Sequence, residues 1–346
     1  MPRPAKKPTM EDAMRRHFFH HGSHDASLNE EKMNCHMCQI RSFSSHADYP
    51  ITVINDVDNA PLPPDFRFID GVVLGDGVEP AEDSFRSGCE CRKDELCQFG
   101  GCQCLGDVGE EDSQEEGSAR QNRRLQVYAY QTRGQRAGML NARMLRPECR
   151  APIYECHEGC ACSEDCPNRV VERGRRVPLQ IFKTENRGWG VRCPQDLQKG
   201  QFVDCYFGEV ITAKEAEERR RRSDIAQKKD VYLFALDKFN DPNSLDPRLA
   251  QPALLVDGEF MSGPTRFINH SCEPNLRIFA RVGDHADKHL HDLALFAIAD
   301  IQRNTELTFD YIDGVEEDEE DLTDPEKLKE MTKCLCGSDK CRGFLW

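Results

Sequence analysis

The stretch at residues 266–272, RFINHSC, decides how the rest of this chain is interpreted. It contains a guanidinium, an amide, an imidazole and a thiol within seven residues. A Gly-Pro pair precedes the stretch and a Glu-Pro pair follows it, and both are turn signals. The sequence therefore predicts a polar loop that displays four different functional groups at one place.

Two later stretches extend this pattern. Residues 306–311 (ELTFDY) alternate between polar and apolar side chains, which predicts a strand that ends in a phenol. The C-terminal segment carries three thiols, at Cys334, Cys336 and Cys341. Because a closed zinc site takes four ligands, this segment needs a fourth ligand from elsewhere in the chain.

Cysteines outside the two main cysteine-rich segments are candidates for that fourth ligand. They are Cys35, Cys38, Cys149, Cys193, Cys205 and Cys272. Cys193 and Cys205 lie on predicted strands and are expected to pack as small apolar side chains. Cys272 lies in the polar loop and is the best candidate. Cys35 and Cys38 have the spacing of half a zinc knuckle, but they and Cys149 receive no role.

The largest cysteine block lies between residues 89 and 166. Its nine members are Cys89, Cys91, Cys97, Cys102, Cys104, Cys156, Cys160, Cys162 and Cys166. Nine thiolates fill three four-coordinate zinc sites only if three of them bridge two metals. The alternative is two independent four-cysteine sites with one spare thiol. In either case the segment has few apolar residues, so metal is expected to hold it together.

Composition narrows the function classes. The chain has 346 residues, 18 cysteines and a formal net charge of −15 at pH 7. The N-terminus lacks the apolar core of a signal peptide, and the longest apolar run, at 293–299, is too short for a membrane span. The cysteines are therefore expected to be metal thiolates rather than disulfides. The negative charge favours basic peptides over nucleic acid as partners.

The fold class is predicted to be mainly β. From about residue 176 onward, short apolar runs alternate with turn signals. One helix is expected from Ala213 to about Lys229, with Thr212 as its N-cap. The predicted strands are 179–183, 191–193, 202–212, 231–236, 254–257, 277–282, 293–298 and 306–311.

Four runs resemble the signature runs of SET-domain protein lysine methyltransferases. They are 187–190 (RGWG), 206–209 (YFGE), 266–272 and 306–311. The nine-cysteine block resembles the pre-SET module of that family, and the C-terminal cysteines resemble its post-SET segment. The combination is similar to the suppressor-of-variegation class, and most similar to the histone H3 lysine-9 methyltransferases of filamentous fungi. The resemblance covers residues 61–346.

The resemblance implies a SET fold of small β-sheets with a knot-like crossing of the C-terminal strand. It implies three zinc ions in the pre-SET module and one in the post-SET tail, where Cys272 supplies the fourth ligand. The expected parts are an N-terminal arm that is partly disordered (1–60), the pre-SET zinc-cluster module with an acidic insertion at 106–122 (61–175), the SET catalytic domain (176–314), an acidic linker (315–329) and the post-SET zinc tail (330–346).

The resemblance also implies a methyl donor, S-adenosylmethionine, and a lysine amine as acceptor. The implied donor-binding residues are Arg187, Gly188, Trp189, Gly190, Tyr232, Arg266, Asn269, His270, Leu335 and Trp346. Phe234 and Phe309 would line a lysine channel, with Tyr311 and Tyr206 as catalytic residues that orient the amine; a general-base role for Tyr311 stays open. Taken alone, the 187–190 run is an ordinary turn, His270 a hydrogen-bonded loop histidine, and the aromatics core residues.

Substrate and product follow from the same resemblance. A Phe at position 309 leaves room for a methylated amine to rotate, which implies trimethylation of lysine 9 in the histone H3 tail during heterochromatin formation. The tail is expected to add as a strand beside residues 231–236, near Asp237. The expected setting is nuclear chromatin, with recruitment proteins as partners and without sequence-specific DNA binding. The alternatives are a methyltransferase for another lysine, a non-catalytic zinc-stabilised module that binds histone tails, and a zinc-cluster DNA binder.

Overall fold

The computed structural model describes residues 33–98, 101–105, 107–108, 125–126, 128–222, 232–312 and 332–345, with the backbone alone at 107–108 and 125–126. Most of the acidic insertion at 106–122, the acidic linker at 315–329, the predicted helix end at Lys229 and Trp346 lie outside these residues. No helix in the described ranges has both the length and the apolar character to cross a bilayer.

Short strands dominate the described chain, as predicted for a mainly β fold. The strands are β1 (Ile51–Ile54), β2 (Arg67–Phe68), β3 (Val73–Leu74), β4 (Asp107–Val108), β5 (Leu125–Gln126), β6 (Ile153–Tyr154), β7 (Leu179–Lys183), β8 (Trp189–Arg192), β9 (Phe202–Cys205), β10 (Glu209–Ile211), β11 (Leu233–Ala235), β12 (Leu255–Asp257), β13 (Met261–Ser262), β14 (Asn269–His270), β15 (Leu276–Val282), β16 (Asp292–Ala297) and β17 (Glu306–Phe309). The α-helices are α1 (His36–Ser42), α2 (Ala213–Arg222) and α3 (Pro247–Ala250). Helix α2 starts as expected, because the Thr212 hydroxyl accepts a hydrogen bond from the Glu215 N–H.

A five-stranded sheet with the order β1-β7-β8-β17-β14 carries three of the four signature runs, all but 206–209. Strand β17 pairs antiparallel with β8 and parallel with β14. The second pairing puts Asn269 beside Thr308 and His270 beside Phe309. The C-terminal strand thus lies against the polar loop, which is the neighbourhood that a knot-like crossing requires.

One predicted strand divides in the structure and another is shorter than predicted. The 202–212 run becomes β9, which pairs with β16, and β10, which pairs with β12 in a different sheet. The residues between them, 206–208, carry the chain from one sheet to the other. The 306–311 run stops at Phe309, because the Tyr311 N–H donates to the His270 ring rather than to a neighbouring strand.

Residues before position 81 contribute to the main sheets. Ile40 and Ile51 are fully buried in the same apolar cluster as Leu307, and β1 pairs with β7. Strands β2 and β3 pair with β13 and β10. Hydrogen-bonded sheets therefore run across the boundary predicted at residue 60, and the domain limits stay a prediction.

A buried ionic network joins the cysteine-rich module to the sheet β6-β15-β16-β9. Glu155 is fully buried and accepts hydrogen bonds from the backbone N–H groups at 170–172. Arg281 donates through Nε to Glu155 at 3.0 Å, and its terminal nitrogens pair with Glu172 and Asp292. The network satisfies charges that would otherwise be costly to bury, and it fixes the module on the sheet.

Candidate active site and metal centres

A cavity of about 380 Å³, here called the tail cavity, lies between the polar loop and the C-terminal segment. Its walls come from 187–189, from 266–270 and from 332–336. Eight of the ten residues predicted to bind a methyl donor line it. They are Arg187, Gly188, Trp189, Tyr232, Arg266, Asn269, His270 and Leu335. Gly190 is outside its lining, and Trp346 is outside the described residues.

The two glycines around Trp189 are required for different reasons. Gly188 has a φ of +72°, in the left-handed region that favours glycine, and it lines the tail cavity. At Gly190 a Cβ would lie 2.9 Å from Oε1 of Glu306 and 3.1 Å from Cγ2 of Thr184. Gly190 therefore makes room for Glu306, whereas the sequence suggested that it admits the donor.

Glu306 holds two of the predicted donor-binding side chains in place. Its Oε1 accepts a 2.8 Å hydrogen bond from Nδ2 of Asn269, which also donates to the Trp189 carbonyl at 3.1 Å. Its Oε2 pairs with the guanidinium of Arg187 at 2.5 Å. The carboxylate thus links the RGWG turn to the polar loop across β17.

Arg266 is held by backbone and aromatic contacts. Its Nε donates to the carbonyl oxygens of Gly258 and Glu259, at 3.1 and 3.2 Å. Its guanidinium lies 4.3 Å from the ring centroid of Tyr232 and 4.8 Å from that of Phe66. These cation–π contacts fix Tyr232 at the cavity wall.

The four predicted channel aromatics form one connected group. Ring centroids are 4.7 Å apart for Tyr206 and Phe234, 5.6 Å for Phe234 and Phe309, and 4.8 Å for Phe309 and Tyr311. Tyr206 and Phe309 are almost completely buried. Because Tyr311 lines the tail cavity and Phe234 packs on it at 6.3 Å, the group stands at the inner end of that cavity.

Both tyrosine hydroxyls donate to backbone carbonyls. The Tyr311 O–H donates to Ile268 at 2.8 Å, and the Tyr206 O–H donates to Tyr232 at 3.1 Å. Burial raises the pKa of both phenols above the ordinary value of about 10, so both stay protonated near neutral pH. A protonated phenol orients a bound amine by accepting a hydrogen bond, and it does not remove the proton of an ammonium. The raised pKa of the Tyr311 phenol and its hydrogen bond to Ile268 disfavour the general-base role that the sequence left open for Tyr311.

A second cavity, here called the strand groove, reaches the same aromatics from the other side. It has a volume of about 620 Å³ and runs between β11 and β15. Phe234 and Tyr311 lie at its inner wall, and Asp237 and Asp310 add carboxylates. Strand β11 is at the edge of its sheet, and among the described strands none pairs with its outer side. Tyr311 is shared by both cavities, so groups bound in them can meet at this phenol.

The C-terminal thiols meet Cys272, as the resemblance implies. The Sγ atoms of Cys272, Cys334, Cys336 and Cys341 all lie within 4.8 Å of one another, with 3.9 Å between Cys272 and Cys334. Four sulfurs at about 2.3 Å from one zinc ion are about 3.8 Å apart. The four thiols therefore fit a closed zinc site, which lies at the wall of the tail cavity.

The nine-cysteine block forms overlapping sets of thiols. Sγ–Sγ distances of 3.8 Å for Cys89–Cys97, 3.9 Å for Cys89–Cys156 and 4.0 Å for Cys102–Cys156 again suit zinc thiolates. The four-thiol sets are Cys89, Cys97, Cys102 and Cys156; Cys89, Cys156, Cys160 and Cys162; and Cys97, Cys156, Cys162 and Cys166. Sets that share members favour one bridged cluster over two independent sites.

Two members of the block lie at the rim of these sets. Cys104 contacts the Sγ of Cys160 at 3.3 Å, in a group that also contains His157. Cys91 lies beside Cys97 and Cys102 without joining a four-thiol set of the described residues. All nine cysteines are thus in one neighbourhood.

His270 connects the polar loop to the metal ligand Cys272. Its Nδ1 accepts a hydrogen bond from the Tyr311 N–H at 3.2 Å, so the remaining ring proton is assigned to Nε2. Nε2 lies 3.3 Å from the Sγ of Cys272. Burial lowers the pKa of His270 to about 4, so the ring is neutral. Loop, strand end and thiol are therefore joined through one imidazole.

Comparison with known proteins decides the family. Residues 188–312 match the SET domain and residues 42–169 match the Pre-SET motif. The chain is 60% identical over 337 residues to the histone-lysine N-methyltransferase, H3 lysine-9 specific dim-5, of Neurospora crassa, over 97% of this chain and 100% of that protein. The chain belongs to the SET-domain histone-lysine methyltransferases. The family predicted from the signature runs is confirmed.

Further relatives agree with this assignment. KMT1 of Fusarium mangiferae, also named as H3 lysine-9 specific, is 57% identical over 96% of this chain and 98% of its own length. The solved structure of DIM-5 has a TM-score of 0.69 at 56% identity, over 83% of this chain and 100% of that one. SUVH6 of Arabidopsis thaliana, solved in complex with SAM, has a TM-score of 0.60 at 28% identity, over 86% of this chain and 53% of that one. The mainly β SET fold is confirmed.

Three site residues of this SET-domain methyltransferase were missed by the sequence analysis. Glu306 and Asp310 belong to the ELTFDY run, in which only the aromatic residues were predicted to have functional roles. Arg342 follows the last tail cysteine and pairs with Asp310 through two nitrogens, at 2.8 and 2.7 Å. Charged residues next to recognised motif positions were the signal that could have found all three.

Proposed function

We propose that this SET-domain methyltransferase transfers methyl groups from S-adenosylmethionine to lysine 9 of the histone H3 tail, up to the trimethylated state, in nuclear chromatin. The observation that carries the proposal is the meeting of the tail cavity and the strand groove at Tyr311. Two relatives named as H3 lysine-9 specific support the choice of lysine. A heterochromatin role and recruitment by other chromatin proteins are part of the same proposal.

The tail cavity would bind the methyl donor. When bound, S-adenosylmethionine supplies a methyl group on a positively charged sulfur. The backbone at Gly188 and the side chains of Asn269 and Arg187, which Glu306 holds in place, would position it. Leu335, of which 52% is exposed, would cover the bound donor from the tail side. Positioning of this kind can lower a reaction barrier by up to about 7–11 kcal/mol.

The aromatic group would receive the lysine side chain. Its rings attract an incoming ammonium by cation–π interaction and exclude water from it. Desolvation lowers the pKa of the lysine amine from a free value of about 10.4. The ammonium group therefore loses its proton to solvent before the nitrogen attacks. The neutral nitrogen then attacks the methyl carbon, the carbon–sulfur bond breaks, and a neutral thioether leaves. Tyr311 and Tyr206 orient the amine through their hydroxyl oxygens.

The strand groove would hold the peptide around that lysine. An extended tail can pair with the outer edge of β11, since β-strand addition needs only backbone N–H and C=O groups. Asp237 in the groove wall suits a basic residue next to the target lysine. A net charge of −15 adds a general attraction for a basic tail.

Zinc would fill both cysteine sites. We infer three ions in the pre-SET block, because nine thiols in overlapping sets can bridge, and one ion held by Cys272, Cys334, Cys336 and Cys341. The supporting observation is the set of Sγ–Sγ distances near the edge of a zinc–thiolate tetrahedron. Metal analysis of the purified protein should give four zinc ions per chain.

Methyl transfer to a panel of histone tail peptides tests the proposal. We expect incorporation of labelled methyl groups into an H3 peptide and its loss when lysine 9 is replaced by arginine. Transfer to a different lysine would support the alternative methyltransferase. Peptide binding without turnover would support the non-catalytic module, and a shifted DNA probe at low salt would support the DNA binder.

The first prediction separates amine orientation from proton removal. The rate of wild-type enzyme should rise from about pH 7 to about pH 10, because more substrate amine is neutral. Tyr311→Phe should lower kcat by about 100-fold or more, since the orienting oxygen is lost. Its remaining rate should rise with pH as in the wild type, because the Tyr311 phenol is protonated throughout. A flat profile in the variant would instead indicate that Tyr311 acts as the base.

The second prediction concerns the product. Phe309 is buried against Phe234 and Tyr311, so Phe309→Tyr puts a hydroxyl and its water at the channel wall. We expect the variant to stop mainly at mono- and dimethylated peptide, with a first-step rate within about tenfold of wild type. Mass spectrometry of the peptide over time measures this. Phe202→Tyr, in a separate aromatic cluster where Phe202 packs on Phe296, is the matched control and should leave the product distribution unchanged.

A further inference from the structure

The described tail closes on itself before it meets the body of the protein. Lys333 and Phe344 form an antiparallel bridge, and the N–H of Cys334 donates to the Gly343 carbonyl at 2.8 Å. The N–H of Leu345 donates to Thr332 at 2.8 Å. Residues 332–345 therefore form a small folded unit. To cover the tail cavity, this unit must be held in one orientation against the rest of the protein.

Arg342 provides attachment at two points. Its guanidinium donates two hydrogen bonds to the carboxylate of Asp310, at 2.8 and 2.7 Å, and its backbone N–H lies 3.4 Å from the Sγ of Cys272. Its Nη2 is also 3.4 Å from Nε2 of His270. One tail residue thus touches a metal ligand, a donor-cavity side chain and the strand end beside Tyr311.

We propose that Arg342 is a positioning residue, whose pair with Asp310 holds the tail closed over the tail cavity and so sets the affinity for the methyl donor. The inference rests on the proposed function, since it assumes that the tail cavity binds that donor. A metal ion would join the three tail thiols to Cys272 of the polar loop. The Arg342 pair adds a second point and prevents the wall at Thr332–Cys336 from turning about the metal.

The form of the pair suits this role. Bidentate arginine–carboxylate contacts fix direction as well as distance. The Arg342 side chain is 28% exposed and that of Asp310 is 15% exposed, so the pair is only partly screened by solvent. Asp310 stands between Phe309 and Tyr311 in sequence, so the pair lies next to the aromatic group.

The test compares donor affinity in matched variants of the full chain. Arg342→Met and Asp310→Asn should each raise the dissociation constant and the KM for S-adenosylmethionine by about tenfold or more, as expected for loss of a charge-assisted pair. The double variant should be no weaker than the worse single variant. Arg342→Lys should fall between wild type and Arg342→Met. Lys340→Met removes the exposed pair of Lys340 and Glu273 on the same tail and should stay within about twofold of wild type.

Metal content and kcat distinguish positioning from a purely structural role. We expect all variants to keep the wild-type zinc content, and kcat at saturating donor to fall by less than about threefold in the Arg342 variants, because Arg342 lines neither cavity. Loss of zinc from Arg342→Met, unchanged donor affinity, or additive effects in the double variant would each overturn the inference. Donor affinity needs no methyl acceptor. A wild-type protein that binds donor but methylates no histone peptide would therefore refute the proposed function and leave this comparison valid.

Discussion

The two cysteine clusters use the same thiol chemistry in opposite surroundings. In the pre-SET block, Cys97, Cys156 and Cys166 have no exposed surface, and Arg281, with a side chain only 8% exposed, anchors the block to the sheets. At the four-thiol site of the tail, the loop ligand Cys272 is partly exposed, and the side chain of the anchoring Arg342 is 28% exposed. One cluster is part of the interior, and the other lies at the protein surface.

Their positions relative to the cavities differ in the same way. Cys334 and Cys336 line the tail cavity, whereas the pre-SET thiols line neither that cavity nor the strand groove. The buried pre-SET thiols share an apolar core with Leu140, Met144 and Ile153, and metal bound to these thiols would stabilise that segment further. A metal at the cavity wall can instead control whether a binding site is assembled. Under the proposed function, the same ligand type would therefore serve stability in one region and ligand binding in the other.

The largest loss of stability is expected for Cys156→Ser. If this substitution did not destabilise the protein, the proposed difference between the two clusters would be wrong. Cys156 is a member of all three four-thiol sets and has no exposed surface. Losing structural zinc should remove on the order of 5 kcal/mol or more, comparable to the whole stability of a typical domain. The variant should therefore be unfolded or insoluble at 25 °C. Cys149→Ser, a thiol outside these sets, should keep the wild-type unfolding temperature.

The next effect in size concerns the two anchoring arginines. Arg281→Met leaves Glu155 buried without its charge partner, which should cost about 3–5 kcal/mol of unfolding free energy. Arg342→Met should cost less than about 1 kcal/mol, because Asp310 can be solvated. Denaturant unfolding with a common m-value measures both. Equal losses would show that the two regions are anchored alike, and a Glu155→Gln, Arg281→Met double variant should regain part of the Arg281 loss.

Functional residues could be predicted from the sequence most readily where the chemistry depends on the type of side chain. The thiols were identified from residue type, because metal binding requires specific side chains, whereas the roles of Asn269, His270 and the channel aromatics were implied by family resemblance. The meeting of Cys272 with the tail was confirmed in geometry, although 62 residues separate it from Cys334. The place of Cys272 in a polar loop made it the best candidate, and family resemblance implied the contact itself.

Contacts that depend on three-dimensional pairing were missed. Gly190 looked like a ligand-facing glycine, but its neighbour is Glu306, more than 100 residues later, which β17 brings against β8. The pairing of Asp310 with Arg342 likewise requires the tail to be folded over the strand end. A period-two pattern predicts which face a side chain occupies, and it does not predict which distant residue lies opposite.

The smallest stability effect and the sharpest contrast should come from Cys336→Ser. Cys336 is partly exposed and lines the tail cavity, so its loss should detach one wall of the donor site without opening the core. We expect donor binding to weaken by about 100-fold or more, because the closed tail is no longer held. The unfolding temperature should fall by no more than about 3 °C.

Limited treatment of the wild type with a metal chelator tests the same contrast without mutation. The exposed tail site should lose its ion first, so donor binding should disappear while the main unfolding transition is retained. Zinc released at that stage should amount to about one ion per chain, and adding zinc back should restore binding. Simultaneous loss of donor binding and of the folded state would mean that the two clusters form one cooperative unit, and the distinction between a stabilising and an assembling metal would fail.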